Sequence, residues 1–160
     1  MMTIKSIGID YSLSCPAICI ETDNAEDYYY LTDKKKYEGT FRPNITGTLH
    51  KGHLTPQQRY EDIADWVIDT IHSYYPKNIV KPKYPMINLE DYSFASKGKT
   101  FHIAENMGML KYKFYKSEIP FQPRQTSDTG TLTHEDQTLR DECSNQRSGR
   151  SCVIILKGSH

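Results

Sequence analysis

No stretch of this 160-residue sequence approaches the roughly 18 consecutive apolar residues of a membrane span. Nor does any stretch pair a charged start with an apolar run as a secretory leader does. No membrane partner is expected, and a cytoplasmic location is. The four cysteines, Cys15, Cys19, Cys143 and Cys152, nowhere fall in a C-x-x-C spacing, which excludes a zinc ribbon and suits free thiols in a reducing compartment. Asn44-Ile45-Thr46 fits a glycosylation sequon, but without a secretory signal it reads as a chance match. Charge of one sign is also lacking: 20 Lys and Arg balance 20 Asp and Glu. A uniformly basic nucleic-acid binder is thereby excluded, though a locally basic face is not. Seven lysines lie between Lys81 and Lys116 against Glu90, Asp91 and Glu105, while acids gather at Asp23–Asp27 and Glu61–Asp69. With only 37% apolar residues, the core must come from a few segments of one domain.

Those segments are legible. Residues 4–10 alternate as a strand with Ile7 and Ile9 on one face, and residues 16–21 form a second strand after a short polar turn. Tyr28–Leu31 gives a third, and the three suggest an antiparallel meander; the Tyr28-Tyr29-Tyr30 run reads as strand packing. Residues 33–54, rich in Lys, Gly, Thr, Pro and Asn, read as a long loop. Thr55, Pro56 and Gln58 then spell a capped helix start, and Tyr60, Ile63, Val67, Ile71 and Tyr74 form its apolar stripe up to Pro76. Residues 85–91 are the next strand. Phe101–Lys116 is a second helix with Ala104, Met107, Leu110 (or Lys111) and Phe114 inward, and Ile119–Phe121 a last short strand. Residues 122–152 hold only Leu132 and Leu139 as sizeable apolar side chains, so disorder is an open reading there.

Two acids stand out. Asp10 ends an isoleucine-rich strand, and Glu90 follows Met86-Ile87-Asn88-Leu89 in the same position on another. A carboxylate at the end of an apolar strand is costly unless paired or bound to a cation. A turn-forming Asp and a solvated Glu-Asp edge are the plain alternatives. Strand alternation puts Glu90 and Asp91 on opposite faces, so only one of them can meet Asp10. Two such carboxylates on adjacent strands suit Mg²⁺, and a third allows the two-metal arrangement that cuts phosphodiesters. The loop Ser96-Lys97-Gly98-Lys99-Thr100 fails as a phosphate-binding P-loop, because position 93 is Ser93 where glycine is required. Lys97 and Lys99 read as backbone-phosphate contacts or as solvated lysines, and Tyr92 and Phe94 as wedges between bases or as core.

The string SIGIDYSLSCPAICI resembles the first motif of the RuvC-like Holliday-junction resolvases, and INLEDYSFASKGKTFHIAENMGML resembles the second. The likeness covers residues 4–121 and is greatest to phage-encoded versions. It implies a ribonuclease H-like α/β fold: a mixed sheet, three antiparallel strands then parallel ones, with flanking helices. It implies catalytic metal ligands at Asp10 and Glu90, Mg²⁺ (or Mn²⁺) as cofactor, and branched DNA as partner. It also implies a homodimer, the host cytoplasm as location, and Gly108 as a small residue seating the second helix close to the sheet. The first motif is shared with actin-like ATPases, which remain an alternative, as does a non-cutting branched-DNA-binding module.

The pattern departs after residue 121. Family members add acids from a C-terminal helix, usually D-x-x-D, whereas here only the clusters His134-Glu135-Asp136 and Asp141-Glu142 are available. Asp136 and Asp141 are the candidate third ligands. The expected domains are thus a nuclease domain at 1–121 and an atypical polar tail at 122–160, displaced from the ancestral frame by frameshift or truncation. Asn145-Gln146-Arg147-Ser148-Gly149-Arg150, read one nucleotide later, can encode T-N-A-V-A-D, which resembles the missing motif.

Overall fold

The computed structural model describes residues 3–76, 79, 82–90 and 100–124. Seven strands and two helices make it up: β1 (Ile4–Asp10), β2 (Ala17–Thr22), β3 (Glu26–Thr32), β4 (Gly39–Arg42), β5 (Ile45–Leu49), α1 (Pro56–His72), β6 (Ile87–Glu90), α2 (Thr100–Lys116) and β7 (Phe121–Arg124). They form one sheet in the order β4-β5-β3-β2-β1-β6-β7. β1, β2 and β3 pair antiparallel, and β6 and β7 continue parallel to β1. That central order, 3-2-1 followed by two parallel strands beyond β1, is the ribonuclease H-like α/β fold expected from the sequence.

Alternation along the strands separates the two faces of the sheet. Ile7 and Ile9 pair with Ile20 and Ile18 on one side and with Ile87 and Leu89 on the other. All six are at most 1% exposed, and they share one cluster with Ile63, Val67 and Ile71 of α1 and Met107, Leu110 and Phe114 of α2. Both helices therefore cover the same face. The intervening residues of these strands, Gly8 and Asp10 of β1 and Asn88 and Glu90 of β6, turn to the opposite face. α1 starts at the capping box read from the sequence: Thr55 Oγ1 accepts from Gln58 N at 3.2 Å, and Gln58 Oε1 accepts from Thr55 N at 3.3 Å.

The sequence expectations need four corrections. The loop expected at 33–54 contains a 3-10 turn at Lys35–Tyr37 and the β4–β5 hairpin, with β5 parallel to β3. In α2, Ala104 is exposed and Asn106 takes an inward position beside Met107, Leu110 and Phe114. Gly108 is exposed, and a Cβ placed on it would meet nothing within 4 Å, so it does not seat the helix against the sheet. The last strand runs Phe121–Arg124 rather than Ile119–Phe121, with Pro123 on the strand that ends the sheet among the described residues.

The glycine that matters for shape is Gly47. An added Cβ would stand 2.1 Å from Tyr37 O and 2.7 Å from the Tyr30 ring, a clash with backbone that side-chain motion cannot relieve. Gly47→Ala is expected to destabilise the protein by about 1–3 kcal/mol, as overpacking does, read as a lowered urea midpoint. An unchanged midpoint would show that Tyr30 does not press the Lys35–Tyr37 turn onto β5.

Candidate metal and nucleic-acid site

The register of β1 and β6 runs to Ile9↔Leu89, and each strand ends one residue later, at Asp10 and at Glu90. The two acids therefore stand side by side on neighbouring parallel strands, whose backbones lie roughly 4.8 Å apart. Same-row side chains share a face, so both carboxylates project from the face away from α1 and α2. Both are half-buried, above a layer in which Ile9 and Leu89 are 0% exposed. The sequence separates them by 80 positions (90 − 10); the parallel pairing brings them together.

The neighbours on that face are polar or small. Asp10 pairs with Ala17, which leaves room above the sheet, and Glu90 pairs with Arg124 of β7. Asn88, one step back on the same face, accepts from Gln122 Nε2 at 2.7 Å and from Arg124 Nε at 2.9 Å. The second of these bonds holds the guanidinium of Arg124 against Asn88, on the strand that ends at Glu90. Arg124 is a site residue the sequence reading missed, since it lay beyond the expected end of the last strand.

The turn after Asp10 is held from several sides. Ser12 Oγ accepts from Cys15 N at 3.1 Å, closing the turn locally. From α1, Arg59 Nε donates to Leu13 O at 2.9 Å while its Nη2 lies 3.4 Å from both carboxylate oxygens of Asp33. His50, just past β5, places Nε2 at 3.3 Å from Ser14 O. Burial, followed by the Arg59 cation, pushes the His50 pKa below the usual imidazole value, so the ring is neutral at neutral pH. Tyr11 turns toward the helices and is 5% exposed; burial, then the Asp65 charge, raises its phenol and keeps it protonated. Arg59 and His50 carry no motif, because what they hold are backbone carbonyls.

Oxygen donors on adjacent strand ends are the donor set that Mg²⁺ or Mn²⁺ takes, so Asp10 and Glu90 fit such an ion as two of its ligands. Among the described residues no three His, Cys, Asp or Glu side chains converge as a fuller cage. The candidate third ligands Asp136 and Asp141 lie outside the described residues, as do Lys97, Lys99, Tyr92 and Phe94. No helix of the described residues is long and apolar enough to cross a membrane.

No family model matches the sequence, and no curated protein matches it. Solved structures similar to the chain include RuvC of Thermus thermophilus in complex with a Holliday junction substrate. It has 8% identity and a TM-score of 0.49, over 77% of this chain and 66% of that one. A second structure of Thermus thermophilus RuvC has 12% identity and a TM-score of 0.46, over 94% of this chain and 84% of that one. The match spans 66% of the first RuvC chain.

Proposed function

We propose that this protein is a structure-selective DNA endonuclease that cuts branched DNA, of the four-way-junction kind, by metal-assisted hydrolysis of a phosphodiester. The observation that carries the reading is the placement of Asp10 and Glu90 at the ends of adjacent parallel strands, on the face the helices leave uncovered. The two sequence motifs that deliver these acids resemble those of junction resolvases, and they agree with it.

A bound divalent ion would supply Lewis-acid polarisation of the phosphate and an activated water. The chain's own residues do the rest. Asp10 and Glu90 hold charge of the right sign at fixed spacing. The bonds of Ser12 and Arg59, with the His50 contact, keep the Asp10 turn from moving. Arg124, in register with Glu90 and bonded through Nε to Asn88, would offer its guanidinium to a non-bridging phosphate oxygen. Two symmetric nicks require two such sites, so the working form we propose is a two-fold homodimer in the cytoplasm.

A second reading rests on one observation: the described residues bring together two acids and no third. On that reading the chain binds branched DNA without cutting it. Incubating the protein with a synthetic four-way junction and a linear duplex of matched sequence, with and without Mg²⁺, separates the two. Paired nicks on the junction alone, abolished by EDTA, are expected. Tight binding without nicks in either Mg²⁺ or Mn²⁺ would establish the binding module instead.

A further inference from the structure

The hairpin between β3 and α1 holds a group of residues that the acid pair does not use. Between residues 34 and 42 the chain places Lys34, Lys35, Lys36 and Arg42 against a single acid, Glu38, on a protein whose net charge is zero. All four cations are exposed. Lys35 pairs with Glu38, and by count the segment carries three more cations than acids. Two aromatic rings accompany it. The Lys36 ammonium sits 4.6 Å from the centroid of Tyr37, and Tyr37 packs against Phe41, ring centres 6.4 Å apart and planes tilted by 55°. Phe41 is 48% exposed on the edge strand β4.

A run of lysines on a loose loop would be an ordinary solvated surface, but this one is fastened. Tyr30 Oη donates to Tyr37 O at 3.0 Å, and the absence of a side chain on Gly47 lets the turn and the Tyr30 ring close over β5. The register then fixes where the turn lies. Asp10 pairs with Ala17, Ala17 with Tyr30, and Tyr30 with Gly47, in one row across four strands. Tyr30 therefore lies on the same face of the sheet as Asp10 and Glu90. Three strand spacings separate Asp10 from Gly47, or roughly 14 Å. At one phosphate of each strand per about 3.4 Å of duplex axis, that is on the order of four phosphates.

We infer that the Lys35–Arg42 segment is a second nucleic-acid contact, which takes the backbone with its lysines and stacks an unpaired base on Phe41. Branched DNA supplies both chemistries, phosphates in its arms and unstacked bases at the crossover, and base–aromatic stacking beside cations is how single strands are held. The inference rests on the branched-DNA reading above and adds to it where an arm or displaced strand leaves the cutting site.

Fluorescence anisotropy on the full chain tests it, with a labelled four-way junction, a single strand and a linear duplex, in EDTA, from 50 to 200 mM salt. The double substitution Lys35→Gln with Lys36→Gln is expected to weaken junction binding on the order of tenfold and to lower the salt slope by about two. Phe41→Ala is expected to weaken binding of the junction and the single strand while leaving the duplex unchanged. The altered side chains are exposed, and circular dichroism melts check that each variant folds. Variants that fold, bind the junction as the wild type does and keep its salt slope would overturn the inference and leave the nuclease reading standing. A wild-type protein that binds no branched DNA at any salt would overturn both. Loss confined to binding of another protein would assign the patch to that partner instead.

Discussion

Asp10→Asn and Glu90→Gln are each expected to slow junction cleavage on the order of a thousandfold, a loss of the several kcal/mol that metal stabilisation supplies. The substitutions keep the shape of each side chain and remove the charge that would hold the ion. They should cost little stability, because both side chains are half-buried at strand ends and an amide keeps hydrogen-bonding capacity there. The expected pattern is a nearly unchanged thermal midpoint, junction binding retained in EDTA, and single-turnover cleavage lost. Full cleavage in either variant would remove that residue from the site. A collapse of the thermal midpoint would instead mark it as a structural turn residue.

Phe114→Ala is expected to be the most damaging substitution outside the site, at about 3–5 kcal/mol. Phe114 is 0% exposed, lies in the cluster that joins α2 to the sheet, and meets the Phe121 ring at 5.6 Å. Its backbone carbonyl also accepts from Ile119 N at 2.9 Å, at the end of α2 where Glu118 adopts a φ of 55° in the left-handed region. Removing the ring opens a cavity between α2 and β7, the strand that carries Arg124 beside Glu90. Total stabilities of about 5–15 kcal/mol leave little margin for such a loss. Urea unfolding followed by circular dichroism measures it. A loss below about 1 kcal/mol would mean that the core does not depend on this contact.

The sequence made much of the central sheet visible, for definite reasons. β1 puts Ile7 and Ile9 on one face just before Asp10, so its strand and the position of Asp10 could be read directly, and Glu90 could be read near the end of β6 in the same way. The capping box at Thr55 marked α1 because that motif is local. What stayed hidden depended on contacts distant in sequence. The β4–β5 hairpin is built from Gly, Thr, Pro and Asn, which signal a loop. It becomes sheet because β5 pairs with β3 and Tyr30 closes over Gly47. The helix phase misled at Ala104, where the inward turn of α2 actually takes Asn106, and the resemblance misled at Gly108, which is exposed. The last strand reads as ending at Phe121 because the residues after it are polar, and pairing with β6 extends it to Arg124. Arg59 and His50 were illegible because nothing in the sequence announces which carbonyl a side chain will hold. That Asp10 and Glu90 meet came from the resemblance alone, since no local pattern links residues so far apart.

The most direct test of the acid pair is a Mn²⁺ titration of the ¹⁵N-labelled full chain, followed by paramagnetic broadening of backbone amides. Broadening should begin at the ends of β1 and β6, around Gly8–Tyr11 and Asn88–Glu90, compete away with Mg²⁺, and vanish in Asp10→Asn. Broadening that spares these strand ends and centres elsewhere, for instance on Asp33 and Asp62, would contradict the assignment of Asp10 and Glu90 as the metal-holding pair.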